Sequence, residues 1–317
     1  MSIKKVLVTG ASGFIGQPCL QALKRRGFEV HAVSSRLPVQ KPANVAWHTV
    51  DLLNKDEVTE LITRVEPAYL LHLAWYVEHG KYWSSPQNLT WVQATLDLAD
   101  QFLKQGGQRL VCAGTCAEYD WKHKLLKEDE TPLNPHTLYG ACKAGLQTIL
   151  NQWSKTMGVS FAWGRIFFPY GPHENANRLI PSTVLSLLRK EKATCNNPEL
   201  ERDFIYVDDL AEMFAEIVDG NYSGPINLAS GTPVKLGKVV ELIAEMLGAS
   251  DLVEFGSNSK NGAEPPVLIA DTSKHESAMK QLAKTSLEEG LQQTISWWQS
   301  QFDVIQAGTP ELTRKSG

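Results

Sequence analysis

The sequence predicts an α/β protein in which a doubly wound parallel sheet is followed by a smaller mixed α/β lobe. In the first half, short runs rich in β-branched residues alternate with stretches of helical periodicity, an order that favours a parallel sheet. The strand-like runs are almost continuously apolar, which fits a sheet covered by helices on both faces. After Gly171 this rhythm loosens and Pro and Asn cluster, which indicates a second unit.

The elements of the first half can be assigned in order along the chain. The predicted strands are VLVTG, FEVHAV, VAWHTVD, YLLHLA, RLVCAG and VSFAWGRIFF. The predicted helices cover residues 14–26, NKDEVTELITRV, NLTWVQATLDLADQFLKQ and a segment that begins near Leu138. We expect residues 1–170 to form the first domain.

The second half predicts a lobe over residues 171–302 that is interleaved with the first domain. A strand RDFIYV leads into the helix DDLAEMFAEIV, and PINLAS and KLGKVVELIAEML follow. In the last helix, SLEEGLQQTISWWQSQF, Ser286 and Glu289 have the spacing of a capping box. One face of that helix is apolar, through Leu287, Leu291, Ile295 and Trp298. Residues 303–317 are expected to be a polar tail.

Composition restricts the classes of partner and site. The chain has 31 Lys and Arg against 35 Asp and Glu, a formal net charge of −4, and no basic block, which argues against nucleic-acid or anionic-membrane partners. Its five cysteines show no C-x-x-C spacing, and its histidines show no H-x-x-x-H or H-E-x-x-H spacing, so we predict reduced thiols and no metal site. Without a signal-peptide core or a membrane-length apolar run, we expect a soluble, cytoplasmic protein that binds a small molecule.

The glycines of VLVTGASGFIG lie directly between a strand and a helix. There they allow backbone N–H groups to approach a pyrophosphate at the helix N-terminus. The spacing is G-x-x-G-x-x-G, rather than the commoner G-x-G-x-x-G, and an ordinary tight turn is the alternative. The residues predicted to bind a dinucleotide here are Gly10, Ser12, Gly13, Phe14, Ile15 and Gly16.

The end of the second strand indicates which nicotinamide cofactor is used. An acidic residue at this point would hold the ribose 2′-hydroxyl of NAD, but the sequence reads Ser34, Ser35, Arg36. A guanidinium with two hydroxyls suits a 2′-phosphate, so we predict that NADP(H) is preferred, with NAD(H) possible. A solvated Arg36 is the alternative. Asp51 and Leu52, after the third strand, are predicted to meet the adenine.

A tyrosine and a lysine in LYGACK indicate proton-transfer chemistry. Tyr139 and Lys143 are four residues apart on a predicted helix and therefore share a face. A free tyrosine titrates near ~10, so a nearby cation is needed to make it a useful acid/base at neutral pH. On its own, the pattern Y-x-x-x-K is common in protein sequences and mostly has no functional meaning. Together with the glycine turn and with Thr115 at the end of a strand, it becomes specific.

With these motifs in place, the chain resembles the extended short-chain dehydrogenase/reductase superfamily, the epimerase/dehydratase group that modifies nucleotide sugars. The resemblance spans about Val6 to Phe302 and rests on VTGASGFIG, VDL, HLAW, GTCAEY, YGACK, RIFFPYGP, RDFIYVDDLA and SLEEGLQQTISWW. It implies a Rossmann domain for the cofactor and a C-terminal lobe for a nucleotide diphospho-sugar. It also implies a homodimer formed through helices at about 88–105 and 138–157.

The resemblance assigns roles to individual residues. Tyr139 is implied as the general acid/base, Lys143 as the residue that binds the nicotinamide ribose and lowers the tyrosine pKa, and Thr115 as the partner of the reacting sugar oxygen. Arg202 is implied at the substrate diphosphate, although a salt bridge to Asp203 or Glu201 is the alternative. The remaining implied cofactor contacts are Leu73, Ala74, Trp75 and Phe168, and the remaining substrate contacts are Cys116, Ala117 and Arg178.

The residues after Thr115 separate the reaction classes of this family. Its 4,6-dehydratases carry a glutamate there, whereas this chain has Cys116 and Ala117, and Glu118 comes one residue late, turned to the other face if the strand continues. The family's 3,5-epimerase-reductases use a cysteine and a histidine. Cys116 falls one place early for that role, and Asn177 takes the histidine position; His173 nearby is interpreted as a loop or substrate contact.

The sequence therefore favours an NADP(H)-dependent reductase of a nucleotide-linked 4-keto-6-deoxy sugar. An NAD-dependent nucleotide-sugar 4-epimerase is the alternative, and a cofactor-sensing protein without activity is a third hypothesis. The aromatic stretch AWYVEHGKYW, residues 74–83, is interpreted either as core or dimer surface or as a wall of the sugar pocket.

Overall fold

The structure is a computed structural model that describes residues 4–38, 42–256, 265–280 and 283–306. Its strands are β1 Lys5–Thr9, β2 Glu29–Ser34, β3 Ala46–Thr49, β4 Tyr69–His72, β5 Arg109–Thr115, β6 Leu125–Leu126, β7 Ser160–Ile166, β8 Phe168–Tyr170, β9 Ala193–Cys195, β10 Glu201–Tyr206, β11 Gly224–Leu228, β12 Pro233–Lys235, β13 Val253–Phe255 and β14 Val267–Ala270. Its α-helices are α1 Gly16–Arg25, α2 Lys55–Val65, α3 Gln87–Lys104, α4 Leu138–Met157, α5 Leu179–Leu188, α6 Val207–Asp219, α7 Leu236–Leu247, α8 Ser273–Ala278 and α9 Leu287–Gln306.

The main sheet is parallel and has the strand order β11-β7-β5-β4-β1-β2-β3. Successive residues of β1 point to opposite faces, so Val6 and Val8 pack in the core with helices α1 and α6, whereas Leu7 packs with α2, α3 and α4. The predicted doubly wound Rossmann architecture is confirmed. The strand order reverses between β1 and β4, and ligands bind such sheets outside the carboxyl ends of the strands at this point.

A smaller mixed sheet forms the second lobe. Strand β10 pairs antiparallel with β12 and parallel with β14 and β8, and β14 pairs parallel with β6. Helices α5, α7 and α9 share a separate apolar core, in which Val184, Ile243 and Leu291 are fully buried. Strand β11 returns to the main sheet beside β7, and the division into domains at residues 170 and 171 stays a prediction.

Helix α9 begins with the predicted capping box. The Glu289 backbone N–H donates to Ser286 Oγ over 3.2 Å, and the Ser286 backbone N–H donates to Glu289 Oε2 over 3.0 Å. The helix continues to Gln306, past Phe302, because no residue in between breaks it, so residues 303–306 of the predicted tail are helical. Residues 307–317 of that tail lie outside the described residues.

The described residues bear on the predictions about cysteines, membrane spans, metal sites and the dimer helices. All five cysteines are buried and free of disulfides. Across the described ranges, no helix is long and apolar enough to cross a membrane, and no group of His, Cys, Asp and Glu is arranged to hold a metal ion. Helices α3 and α4 expose Leu89 and Ile149, and the dimer through these helices stays a prediction.

Candidate active site

The predicted dinucleotide cradle is a turn that only glycine fits. Gly10 has φ +66°, and a Cβ there would lie 2.8 Å from the Ala74 backbone nitrogen. A Cβ on Gly16, the first residue of α1, would lie 2.1 Å from the Gly10 carbonyl oxygen. Contacts this short exclude any side chain, so the ends of β1 and β4 and the start of α1 come together at the switch point of the sheet. The residues present therefore fit a bound dinucleotide.

The end of β2 presents the residues predicted to select the cofactor. The Ser34 hydroxyl is buried, lies 2.9 Å from the Ser12 hydroxyl, and donates to the Arg36 carbonyl. Ser35 and Arg36 are exposed. Within the described ranges no carboxylate forms an ion pair with Arg36. Ser34 thus orders the turn, and the two exposed residues are the ones able to meet a ligand phosphate.

The other predicted cofactor contacts lie at neighbouring strand ends. Asp51 accepts a 3.0 Å hydrogen bond from the Leu53 backbone N–H, and Leu52 is half-buried beside it. Backbone N–H groups of Leu73 and Ala74 each donate to Thr9 over 3.3 Å, which fixes the end of β4 against β1. Phe168 differs from these residues in its position, because it is the first residue of β8, a strand of the second lobe.

Tyr139 and Thr115 are brought together by the start of helix α4. Thr137 caps this helix by accepting from the Gly140 backbone N–H over 3.1 Å. A Cβ on Gly140 would lie 2.3 Å from the Ala117 carbonyl oxygen, so the helix packs directly on the turn after Thr115. The side chains of Tyr139 and Thr115 are hydrogen-bonded. Burial raises the pKa of Tyr139, and the hydrogen bond to Thr115 opposes that shift.

Lys143 lies on α4 four residues after Tyr139 and is buried. Its ammonium donates to the Ala113 carbonyl over 2.9 Å and lies 3.8 Å from the centroid of the Trp75 ring. Burial lowers the pKa of Lys143 to about 8. The ammonium is therefore satisfied by a carbonyl and an aromatic face, an arrangement that helical spacing does not predict.

The residues after Thr115 form a 3₁₀ turn, Cys116–Glu118, rather than a continuation of the strand. The turn buries the apolar side chains of Cys116 and Ala117. The Glu118 carboxylate is bonded to other groups: its Oε2 accepts from Arg165 over 2.7 Å, and its Oε1 accepts from the Thr115 backbone N–H over 2.8 Å. The prediction that Glu118 lies outside the proton-transfer site agrees with this geometry, but the physical cause is a capped turn, not strand alternation.

The two predicted substrate arginines lie in the second lobe. Arg202 is buried, its guanidinium carbon lies 5.5 Å from the centroid of the Phe168 ring, and its Nη1 donates to the Glu201 and Pro265 carbonyls. The neighbouring Asp203 carboxylate accepts from Ser230 and from the backbone of residues 231 and 270. The Asp203 carboxylate is thus used to hold loop backbone.

Arg178 has a partner that the sequence did not predict. Glu174 Oε1 lies 3.5 Å from Arg178 Nε, and the Arg178 guanidinium also bonds the Tyr82 side chain. Glu174 is buried, which raises its pKa to about 8, and its Oε2 has no hydrogen-bond partner among the described residues. Residues 174–178 lie in the loop before α5, so their spacing carries no helical signal, and the pair becomes visible only in the structure.

The aromatic stretch is divided between the core and the site. Trp75 and Tyr82 are both buried, and Trp83 is exposed. The rings of Tyr82 and Trp83 meet the ring of Tyr139 edge-on at 5.0 and 5.8 Å. Trp83 also contacts Trp121, whose indole donates to the Cys116 carbonyl over 3.0 Å. Tyr82 and Trp83 thus form a wall beside Tyr139, which supports the sugar-pocket interpretation for these two residues.

A buried histidine at the end of β4 was also not predicted as part of the site. His72 lies 2.7 Å from the Thr9 hydroxyl and 2.9 Å from the Thr95 hydroxyl. Burial lowers its pKa from 6.5 to about 3, with the charge of Lys143 acting in the same direction. The neutral ring therefore links β1, β4 and α3 beside the glycine turn.

The lowered pKa of His72 predicts that the stability of the fold is sensitive to acid. Because its pKa is lowered on folding, the folded chain binds fewer protons than the unfolded chain between pH 6.5 and about 3. Stability from this group is therefore complete above pH 6.5 and decreases as pH falls toward 3, by up to about 5 kcal/mol. Urea unfolding of wild type and His72→Gln between pH 7 and 4 should show a flatter pH dependence in the variant. Parallel curves would contradict this role for His72.

Fold and site together define an NAD(P)-dependent enzyme with a tyrosine–lysine pair at the switch point of its sheet. A family model for the NAD dependent epimerase/dehydratase family matches residues 6–229, and the chain belongs to this family. It is an enzyme of the extended short-chain dehydrogenase/reductase type, as the resemblance in its motifs implied.

Individual relatives cover nearly the whole chain. UDP-glucuronic acid decarboxylase 1 of Xenopus tropicalis is 27% identical over 313 residues, which cover 95% of this chain and 73% of that protein. UDP-glucuronate 4-epimerase of Thermodesulfobacterium geofontis is 25% identical over 325 aligned residues, covering 95% of this chain and 98% of that protein. The structure of MoeE5 in complex with UDP-glucuronic acid and NAD is 25% identical, with a TM-score of 0.82, and covers 94% of this chain and 99% of that one.

Proposed function

We propose that this enzyme is an NADP(H)-dependent reductase of a nucleotide-linked 4-keto-6-deoxy sugar, with hydride transfer at C4. The observation that carries the proposal is the turn after Thr115. It presents only Cys116 and Ala117 beside the pair of Thr115 and Tyr139, while Glu118 is bonded to Arg165. A reaction that removes a proton from carbon needs a further base at this position. Reduction of a ketone needs only one proton donor.

The roles of the side chains follow from their environment. The glycine turn at Gly10, Gly13 and Gly16 would hold the nicotinamide cofactor, which would supply the hydride for the carbonyl carbon. Tyr139 gives its phenolic proton to the oxygen of that carbonyl, and Thr115 holds the same oxygen by a hydrogen bond. Since burial raises the pKa of Tyr139, the phenol stays protonated at neutral pH until a developing alkoxide takes its proton. Lys143 supplies positive charge beneath the pair.

The preference for NADP(H) is proposed from the end of β2. The exposed Arg36 guanidinium and Ser35 hydroxyl are able to donate hydrogen bonds to a 2′-phosphate, and no carboxylate stands in this stretch to accept from a ribose hydroxyl. The diphosphate of the sugar nucleotide is proposed to meet Arg178 and Arg202.

Replacing Arg36 with Asp is expected to reverse the cofactor preference. The substitution removes charge-assisted hydrogen bonds and places a carboxylate where it repels a 2′-phosphate, so kcat/KM for NADPH should fall about 100-fold relative to NADH. Steady-state kinetics with both cofactors measure the ratio. Arg189→Asp, with the same charge change at the exposed C-terminal end of α5, should leave the ratio unchanged. An equal ratio in wild type and Arg36→Asp would refute the assignment.

A nucleotide-sugar 4-epimerase is the second candidate, and two comparisons favour it. A UDP-glucuronate 4-epimerase is among the relatives, and MoeE5 binds NAD with its UDP-sugar. Such an enzyme performs both half-reactions with the same tyrosine and threonine, so it returns its cofactor to the starting state.

Product analysis distinguishes the candidates. Purified protein is incubated with NADPH or NADH and with dTDP-, GDP- or CDP-linked 4-keto-6-deoxy sugars, and in parallel with UDP-hexoses and UDP-glucuronic acid. Stoichiometric loss of NADPH with one keto-sugar is the expected result. Interconversion of UDP-sugars without net cofactor loss, by protein that carries bound NAD, would replace the reductase with the epimerase.

A further inference from the structure

Trp75 contacts the surroundings of both members of the Tyr139–Lys143 pair. Its indole is buried, with 9% of the residue exposed. One face of the ring lies 3.8 Å from Lys143 Nζ, and the indole Nε1–H donates to Asn88 Oδ1 over 2.8 Å. Trp75 therefore holds Lys143 with its π-face and Asn88 with its N–H.

Asn88 extends these contacts toward Tyr139. It is fully buried, and its Nδ2 donates to the Tyr82 carbonyl over 2.7 Å and to the Ser85 carbonyl over 2.9 Å. The segment 82–85 is thereby fixed at both ends. The Tyr82 ring meets the Tyr139 ring edge-on, and the Trp83 carbonyl accepts from the Tyr139 backbone N–H over 3.1 Å. A continuous set of contacts thus joins Lys143 to Tyr139 through Trp75 and Asn88.

The chemistry of each contact suits this arrangement. A buried ammonium loses its hydration, and the face of a tryptophan ring is the side chain surface that best replaces part of it without a counter-charge. The Ala113 carbonyl accepts from the same ammonium, and the Trp163 ring lies further away at 5.8 Å. On the other edge of the indole, one amide side chain satisfies the N–H and uses both of its own hydrogens on loop carbonyls.

We propose that Trp75 is a positioning residue for both members of the pair, keeping Lys143 charged through its ring and holding the Tyr82–Ser85 segment against Tyr139 through Asn88. The consequence for catalysis rests on the proposed function. The physical effect on Lys143 and Tyr139 does not, and it is measurable in the protein without cofactor or substrate.

The first test follows Lys143 by NMR in protein labelled with ¹³C-lysine. The Cε signal that disappears in Lys143→Met is assigned to Lys143 and titrated from pH 6 to 11. In Trp75→Leu, which keeps apolar bulk but lacks the π-face, the proton affinity of Lys143 should fall about tenfold. Trp75→Phe, which keeps an aromatic face, should lie closer to wild type.

A matched control is Trp91→Leu, because the Trp91 ring packs 6.2 Å from that of Trp75, whereas the rings over Lys143 are those of Trp75 and Trp163. Trp91→Leu should leave the titration unchanged. An unchanged midpoint in folded Trp75→Leu, or a shift toward the ordinary lysine value, would overturn the role of the ring.

The second test measures hydrogen exchange of the Tyr139 backbone amide. Trp75→Phe keeps an aromatic ring but loses the indole N–H that donates to Asn88, and Asn88→Ala loses the whole link to residues 82–85. Both should speed exchange of this amide about tenfold, while amides of the distant helix α7 keep their wild-type rates. Wild-type exchange at Tyr139 in both folded variants would overturn the second half of the proposal. Neither test involves turnover, so both can be interpreted even if the protein shows no reductase activity.

Discussion

Replacing Tyr139 with phenylalanine is expected to lower kcat about 10²- to 10⁴-fold, the range in which a positioned general acid contributes to catalysis. The variant lacks the phenolic hydroxyl, which is the group that bonds Thr115 and carries the proton to be transferred. Its ring is retained, and with it the edge-on contacts to Tyr82 and Trp83. Substrate binding should therefore change little, and the loss should appear in kcat rather than in KM.

The measurement is single-turnover reduction of the keto-sugar that the product panel identifies, with dissociation constants determined separately. Tyr222→Phe is a matched control, since its hydroxyl donates to the Pro225 carbonyl at the edge strand of the main sheet. That variant should keep wild-type turnover. A Tyr139→Phe enzyme within a few-fold of wild type would show that another group protonates the product oxygen.

Local sequence rules predict the fold well because most elements of the first half follow them. The apolar strands, the capped helices and the glycines between β1 and α1 each depend on residues close together in the chain. Gly10 illustrates this: its position between a strand and a helix predicts the close approach of backbone that the structure shows at 2.8 Å. The order of strands in the sheets, such as β11 beside β7, was not predicted, because local residues do not determine which strands become neighbours.

The candidate site was predicted in its members but not in its contacts. The spacing of Tyr139 and Lys143 places them on one helix face, yet nothing in that spacing reveals that the ammonium is directed at the Ala113 carbonyl and the Trp75 ring. These partners lie about 30 and 70 residues away along the chain. Glu174 was missed for a different reason: it lies only four residues from Arg178, but its importance comes from its burial beside that guanidinium, which the loop sequence does not reveal.

Glu118 shows a local rule applied at a position where it does not hold. Strand alternation predicts that it points away from Tyr139, but the strand has already ended at Thr115. The 3₁₀ turn is closed by Glu118 itself, which accepts from the Thr115 backbone N–H and ties the turn to β7 through Arg165 and Trp163. The Glu118 carboxylate is occupied by the hydrogen bonds that hold the turn after Thr115.

Replacing Glu118 with glutamine should therefore destabilise the whole fold by about 3–5 kcal/mol, the typical effect of removing one partner of a buried ion pair. The Arg165 side chain is 1% exposed and Glu118 is fully buried, so the guanidinium would lose its counter-charge where water cannot replace it. Equilibrium unfolding in urea measures the loss. Glu60→Gln, in an exposed pair with Arg64 whose Glu60 side chain is 77% exposed, should cost less than about 0.5 kcal/mol. The double variant Glu118→Gln/Arg165→Met no longer contains an orphaned charge and should recover part of the stability. If Glu118→Gln unfolds at the wild-type urea concentration, the pair does not hold the turn.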